Sequence, residues 1–378
     1  MKKFFFWFLI LSLAFCFSDT VFAAAAKKSD TVKIGVFLPM TGSVAAYGQI
    51  EWAGIKTANE MKPSVLGKKV KLILLDTKSD KIEAANAVSK LIKKNRVCAI
   101  IGEAINANTM AGAEIAEKAR IPIISPTATD PKVTQNRKYV FRVCFSDPFQ
   151  GEVAAKYAYD IIGARKASIM IDIAQDYCIG LANSFAKSFI QMDGKIAATT
   201  YCQTGDQNFM VQLSAIMAAK PDVLYLPNYY IEDALICKQA TELGVKFPIL
   251  SADGAQSEEL IKIGGKDVEG FAFTWHFARE AASTKLAKKY IKIYKMKNKK
   301  DAGTFDALAA DAYFVLLNAI KRAKSTRGSK IRAALANTKG FEGVSGTINI
   351  GKDGNATKSV VILHVKDGKF QYLTTVNP

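Results

Sequence analysis

Residues 121–130 decide the fold and read Ile-Pro-Ile-Ile-Ser-Pro-Thr-Ala-Thr-Asp. A short apolar run bounded by turn residues predicts a buried strand of a parallel sheet. Ser125, Thr127 and Thr129 follow at its carboxyl end, where open α/β sheets place their ligands. The stretch therefore predicts a site for a small polar molecule, although the same run is also typical of an ordinary strand-to-helix loop. It contains no strong nucleophile, base or metal ligand.

The amino terminus predicts export. Lys2 and Lys3 precede an unbroken apolar stretch at residues 4–17, and small residues follow as far as Ala23. This order is typical of a secretory signal peptide, here residues 1–23, and the apolar stretch is shorter than the ~20 residues of a spanning helix. We expect cleavage near Ala23 and a periplasmic protein. A membrane-anchored lipoprotein attached through Cys16 is the alternative.

The net charge of +18 raises the question of a nucleic acid or membrane partner. The lysines are spread over many predicted helices and are not gathered into a stripe with aromatic residues. The densest run, residues 285–300, is typical of the solvated face of a helix, with Leu286, Tyr290 and Ile293 turned inward. We therefore expect no nucleic acid partner and predict a monomer.

Five of the six cysteines follow the predicted signal peptide, namely Cys98, Cys144, Cys178, Cys202 and Cys237. An odd number cannot pair completely within one chain. Cys178 with Cys202 is the one disulfide that the sequence suggests, because both fall near strand ends. No C-x-x-C pair occurs, so we expect no zinc or redox motif and no bound metal.

From Thr31 onward, strand-like apolar runs alternate with amphipathic helices, which predicts doubly wound parallel sheets. A first series of predicted strands and helices ends with the strand at 121–124. A second series, with similar spacing and length, runs from residue 139 to a short helix at 257–263. Predicted helices at 304–323 and 329–336 and predicted strands at 344–350, 359–365 and 369–375 form the tail. The sequence thus predicts an α/β protein of two similar lobes, with crossings between them that form a hinge.

Signatures of catalysis are missing from the sequence. It has no nucleotide-binding glycine fingerprint, no Walker sequence and no G-x-S-x-G elbow. His276 and His364, the two histidines, are interpreted as surface or hinge residues. Phe305 is assigned to the core-packing face of its helix. We expect no catalytic residue and no cofactor.

Polar and aromatic residues at predicted strand ends are the candidates for a binding site. They are Tyr47, Asn106, Thr127, Thr129, Tyr177, Tyr229 and Asp253. Hydroxyl groups and the amide hydrogens of a helix start can hold a carboxylate, and Asp253 can pair with an ammonium group. The set suits a small zwitterion.

Several segments resemble the periplasmic solute-binding proteins of the leucine/isoleucine/valine class. The opening Lys-Ile-Gly-Val-Phe-Leu-Pro-Met-Thr-Gly-Ser, Ala46-Tyr47-Gly48, and the blocks at 100–102, 124–129, 223–229 and 269–270 match in order. The resemblance covers residues 31–375. It implies a type I periplasmic binding fold, with two lobes joined by three crossovers and a ligand cleft between them. The implied partner is an ABC permease in the inner membrane.

The resemblance also implies roles for individual residues. Asn106, Thr127 and Thr129 fall where the family binds the α-carboxylate, with main-chain atoms serving at Thr127. Asp253 falls where a carboxylate receives the α-ammonium group, and Tyr177 and Tyr229 face it from the second lobe. The ligand's side chain would be bordered by Tyr47, Ala104 and Ile105.

Two departures leave the ligand open. Asn106 replaces a serine of the leucine-type proteins, and Asp253 replaces a longer glutamate. We expect an amino-acid-binding component of an ABC importer, for a branched-chain or related hydrophobic amino acid. The alternatives are a sensory module that binds an amide, urea or another small molecule, and an exported hydrolase. The expected lobes are residues 24–147 with 278–353, and residues 148–277 with 354–378.

Overall fold

A computed structural model describes residues 31–358 and 360–376 of the chain, so the predicted signal peptide and Cys16 lie outside the described residues. The first lobe begins with alternating strands and helices. These are β1 Thr31–Leu38, α1 Ala45–Met61, β2 Ser64–Val65, β3 Lys68–Asp76, α2 Lys81–Lys90, β4 Ala99–Ile101, α3 Asn106–Ala119, β5 Ile123–Ser125 and β6 Val140–Arg142.

The six strands form one sheet in the order β2-β3-β1-β4-β5-β6, parallel except for the short β2. β1, β4 and β5 are almost wholly buried because helices cover both faces, which explains their near-continuous apolar sequence. Their carboxyl ends point to one edge, where the loops after β4 and β5 meet.

The second lobe repeats this architecture. Its elements are α4 Asp147–Lys156, β7 Lys166–Asp172, α5 Asp176–Gln191, β8 Lys195–Cys202, α6 Met210–Ala218, β9 Val223–Tyr225, α7 Tyr230–Glu242, β10 Ile249–Ser251, α8 Glu258–Gly264 and β11 Ala272–Trp275. The sequence did not predict β11, whose four residues lie between β10 and a strand from the far end of the chain.

The remaining elements return to the first lobe and then end on the second. They are α9 Lys285–Asn298, α10 Thr304–Ala323, α11 Gly328–Leu335, β12 Phe341–Glu342, β13 Thr347–Ile350, β14 Ala356–Thr357, β15 Val360–Lys366 and β16 Lys369–Val376. α9 and α10 pack on α1, whereas β15 and β16 extend the second sheet to the order β16-β15-β11-β10-β9-β7-β8. β12, β13 and β14 form a small third sheet.

The chain therefore passes between the two large sheets three times, after β6, after β11 and after β14. This confirms the predicted fold of two doubly wound lobes joined by three crossovers. Within the described chain, no helix combines the length and apolarity needed to span a bilayer.

The predicted disulfide between Cys178 and Cys202 is wrong, because all five cysteines after residue 30 are free thiols. Cys178 lies in the first turn of α5 and Cys202 is the last residue of β8, and both are buried. Burial raises the pKa of both thiols, so each is held as a neutral, apolar-like group.

Candidate functional site

A small cavity lies between the lobes, at the carboxyl ends of both sheets. Its volume is about 20 Å³, room for roughly one water molecule. All nine residues that the sequence predicted for the site line this one cavity. They are Tyr47, Ala104, Ile105, Asn106, Thr127, Thr129, Tyr177, Tyr229 and Asp253, and Gly254 and Phe305 complete the lining.

On the first lobe, two side chains that line the cavity have hydrogen-bond donors that are available to a ligand. The Asn106 Oδ1 atom accepts from the Asp130 amide at 3.0 Å, which leaves the buried Nδ2 group unpaired among the described residues. The Thr129 Oγ1 atom is likewise buried and makes no hydrogen bond of standard geometry there, although its hydroxyl interacts with the buried Asp147 carboxyl and lowers the pKa of that group. Asn106 is the first residue of α3, and a helix start favours negative charge. This side of the cavity can hold a carboxylate.

Thr127 is arranged differently. Its Oγ1 atom lies 2.6 Å from Glu51 Oε1 and 2.8 Å from the Ala104 carbonyl oxygen, so the hydroxyl is already engaged by protein groups. Glu51 is fully buried in α1, and desolvation raises the pKa of its carboxyl well above the usual value. Only the main chain of Thr127 is therefore free to contact a ligand.

Two buried side chains hold the binding loops of the first lobe. Glu103 accepts from the Ile105 amide at 2.9 Å and from Thr77 Oγ1 at 2.5 Å, and burial raises the pKa of Glu103 to about 7. Arg142 donates to the carbonyl oxygens of Ala128 at 3.0 Å and Asp130 at 2.7 Å. These carbonyls flank Thr129, so Arg142 fixes the backbone that presents the Thr129 hydroxyl.

On the second lobe, Asp253 follows β10 and accepts three hydrogen bonds. They come from Gln150 Nε2 at 2.7 Å, Tyr177 Oη at 2.8 Å and His276 Nε2 at 2.7 Å. A carboxylate has about four acceptor positions, so one remains for a ligand. The negative charge is fixed in position at the wall of the cavity.

Aromatic rings fill the space between the two polar ends. Tyr177 stacks on Tyr229 with centroids 5.3 Å apart, and Tyr47 stacks on Phe305 at 4.7 Å. The Tyr47 hydroxyl, which belongs to the first lobe, donates to the Gly254 carbonyl oxygen on the second lobe. The Tyr177 hydroxyl accepts from the Gly254 amide at 2.8 Å. Tyr47 therefore links the two lobes directly across the cavity.

Two sequence interpretations need correction. Phe305 does belong to a buried face of α10, but as the second residue of that helix it also reaches the cavity. His276 is not a surface residue, since its side chain is fully buried against Asp253. Its position directly after β11 agrees with the hinge interpretation. His364 lies within β15 and is partly exposed.

Gly254, Gln150 and Glu51 were not predicted from the sequence. Gly254 follows Asp253 directly. A glycine beside a candidate ligand-binding acid can indicate that other groups approach the backbone closely at that position. A Cβ atom there would lie 2.8 Å from the Asn228 carbonyl oxygen and 3.0 Å from the Tyr177 hydroxyl. Gln150 and Glu51 lie within helices, and no local pattern distinguishes them from surface residues.

Comparisons with known proteins identify the family of the chain. A family model described as periplasmic binding protein matches residues 31–369. The chain is 30% identical over 370 residues to a Leu/Ile/Val-binding protein homolog of Brucella melitensis, covering 96% of this chain and 98% of the relative. It is 28% identical over 339 residues to a leucine-, isoleucine-, valine-, threonine- and alanine-binding protein of Pseudomonas aeruginosa, covering 88% and 89%.

Solved structures give the same result. A leucine-binding protein, LivK, of Thermotoga maritima superposes with a TM-score of 0.90 at 47% identity, covering 92% of this chain and 99% of that one. LivJ of Streptococcus pneumoniae in complex with isoleucine superposes with a TM-score of 0.87 at 32% identity, covering 92% and 100%. The chain belongs to the periplasmic binding proteins, as a type I member of the branched-chain amino acid transporter family.

Proposed function

We propose that this protein binds a branched-chain or related hydrophobic amino acid and delivers it to an ABC permease in the inner membrane. One observation carries the proposal. The Asn106 amide and the Thr129 hydroxyl line the cavity on one lobe, and the fixed carboxylate of Asp253 lines it on the other. This is the charge pattern that an amino-acid headgroup needs.

The proposed roles follow from these contacts. Asn106 Nδ2, Thr129 Oγ1 and the main chain at Thr127 bind the α-carboxylate, and Asp253 receives the α-ammonium group. The ligand's side chain contacts apolar or aromatic groups, namely Ala104, Ile105, Tyr47, Tyr177, Tyr229 and Phe305. No step of this function breaks a covalent bond, so the proposal includes neither a catalytic residue nor a cofactor.

The proposed mechanism is closure of two lobes, taken as residues 24–147 with 278–353, and residues 148–277 with 354–378. An amino acid is larger than the cavity of about 20 Å³, so binding requires the cleft to widen. A ligand that contacts both lobes stabilises the closed state by its differential affinity. The permease would recognise that state. We place the protein in the periplasm as a monomer, and similarity to transport proteins favours this function over a sensory module.

The test is a binding panel on mature protein stripped of ligand by unfolding and refolding. Calorimetry and thermal shift would compare leucine, isoleucine, valine, alanine, threonine and phenylalanine with urea, acetamide and benzoate. A ligand at 100 times its Kd adds about 2.7 kcal/mol of stability, a shift of several degrees. We expect aliphatic amino acids to bind. Binding of urea or benzoate in the absence of any amino acid binding would contradict the proposal.

A further inference from the structure

His276 connects the candidate site to the hinge. It is the first residue after β11, on the second crossing between the lobes, and its side chain has no exposed surface. Its Nε2 atom lies 2.7 Å from Asp253 Oδ2. Its ring stacks on Phe145, a residue of the first crossing, with centroids 3.5 Å apart. One imidazole therefore contacts the ligand-binding carboxylate and a second hinge segment.

The hydrogen bonds define the state of this imidazole. A carboxylate only accepts, so the proton of the neutral ring resides on Nε2 and is donated to Asp253. Nδ1 is buried and has no partner among the described residues. A second proton on Nδ1 would thus be an unsatisfied donor in a buried place, which disfavours the charged ring.

We propose that neutral His276 positions Asp253 for the ligand's ammonium group, and that protonation of His276 weakens amino acid binding. This inference rests on the proposed function of the same site. In the neutral state, the pair carries one negative charge that complements the ammonium group. In the protonated state, the imidazolium cancels that charge, so proton and ligand compete for Asp253.

The surrounding charges support this competition. Burial is the main cause that lowers the pKa of His276, and Lys358 on the third crossing lowers it further, whereas Asp253 opposes the change. Asp147 in α4 and the Cys144 thiol also face Asp253. Gln150 donates to Asp253 from α4 and does not titrate. These effects lower the pKa of His276, so the ring is neutral at pH 7 and takes up a proton only as the pH falls.

The experiment measures the Kd for leucine, or for whichever amino acid binds, between pH 8 and pH 4.5. The variant is His276→Gln, whose amide can donate to Asp253 without titrating, and the matched control is His364→Gln on β15. We expect the parent protein and the control to lose affinity in acid, by up to tenfold per pH unit below the pKa of His276. His276→Gln should bind within a few-fold of the parent at pH 8 and lack this acid loss.

A second measurement covers the case in which His276→Gln fails to fold. The mature chain has two histidines, so proton NMR of the parent and of His364→Gln assigns both ring signals. Saturating ligand should move the titration of His276 to lower pH and leave that of His364 unchanged. A titration unmoved by ligand, or an acid loss that persists in His276→Gln, would overturn the inference and leave the proposed function intact. No amino acid binding at any pH would overturn both.

Discussion

At Thr129, a side chain that contributes little to the stability of the free protein is available to bind the ligand. Among the described residues its buried hydroxyl makes no hydrogen bond of standard geometry and interacts only with the Asp147 carboxyl, although a buried polar group that lacks a hydrogen bond costs about 1–3 kcal/mol. Arg142 holds the carbonyls on either side of Thr129, so the hydroxyl cannot easily turn to another partner. We interpret this cost as the preorganisation of a ligand contact.

Thr129→Val should therefore lower ligand affinity more than it lowers the stability of the free protein. We expect affinity to fall by about 1–3 kcal/mol, because the ligand carboxylate loses a donor. The free energy of unfolding should change by less than the binding free energy, because in the free protein the hydroxyl makes no hydrogen bond of standard geometry and only its interaction with Asp147 is lost. Calorimetry and urea unfolding measure the two quantities. Thr241→Val on α7 is the control, since its hydroxyl bonds the Cys237 carbonyl. Unchanged affinity in Thr129→Val would remove this hydroxyl from the site.

Asp253→Asn should have a larger effect. The amide keeps the shape of the side chain but removes the charge that faces the ammonium group, and it also loses acceptor positions for Gln150, Tyr177 and His276. We expect affinity to fall by about 2–5 kcal/mol. Asp193→Asn, at an exposed turn, is the control. Equal binding by both variants would show that Asp253 does not receive the ligand.

Among the helices, α1 and α10 approach closely where glycine allows it. A Cβ atom at Gly54 in α1 would lie 2.3 Å from the Asp306 carbonyl oxygen and 2.8 Å from its Cα atom. Both contacts are with backbone, which cannot rotate away. Asp306 belongs to the first turn of α10, next to Phe305 of the cavity. The close approach of α10 to α1 therefore requires glycine, which has no side chain, at position 54.

Gly54→Ala should destabilise the protein although alanine favours helix. Alanine contributes up to about 1 kcal/mol of helix propensity, but displacing the α10 backbone costs more, so we expect a net loss of about 1–2 kcal/mol. Gly180→Ala in α5 is the matched comparison, because its Cβ atom would meet only Asp147 Oδ2 at 3.8 Å. That variant should gain about 0.5–1 kcal/mol. Urea unfolding measures both, and equal effects would contradict the close-packing argument.

For the whole molecule, buried acids make stability depend on pH. Burial raises the pKa of Glu103 to about 7 and that of Asp306 to about 8. Both carboxyl groups stabilise the backbone near the cavity. Glu103 accepts a hydrogen bond from the Ile105 amide, and Asp306 accepts one from the Gly303 amide. In the unfolded chain, each carboxyl returns to an ordinary pKa near 4.

The sign follows from proton linkage. Between pH 4.5 and pH 7 the folded protein binds more protons at Glu103 than the unfolded chain, so stability falls as pH rises. The contribution of Glu103 is fully present below pH 4.5 and is lost as pH rises through about 7, a change of about 3 kcal/mol. Glu103→Gln should flatten this part of the profile in urea unfolding from pH 5 to pH 9. Glu114→Gln, exposed on α3, should not. A profile unchanged by Glu103→Gln would show that Glu103 is ionised in the folded protein.

Local sequence patterns predicted much of the fold. The predicted helices at 45–61 and 304–323 have the bounds that the structure shows, because apolar spacing and adjacent turn residues are local signals. β11 was missed because four residues carry little periodicity, and its pairing depends on β15, which the chain reaches only after three further helices. Phe305 was assigned to the core because periodicity shows that a face is buried but not what it contacts.

Two of the nine residues that meet in one cavity, Ala104 and Ile105, were implied only by the family resemblance. The sequence pattern by itself determined the alternation of strands and helices, the loops after β4, β5 and β10, and the other seven residues of the cavity. These depend on short-range turn chemistry and on the rule that parallel strands end at a common edge. Only the tertiary structure decided the partners of Asp253, the link from Tyr47 to Gly254 and the free state of the cysteines. Gln150 and Asp253 are 103 residues apart and Tyr47 and Gly254 are 207 apart. The first contact depends on how α4 packs within the second lobe, and the second depends on how the two lobes meet. No local pattern encodes either arrangement.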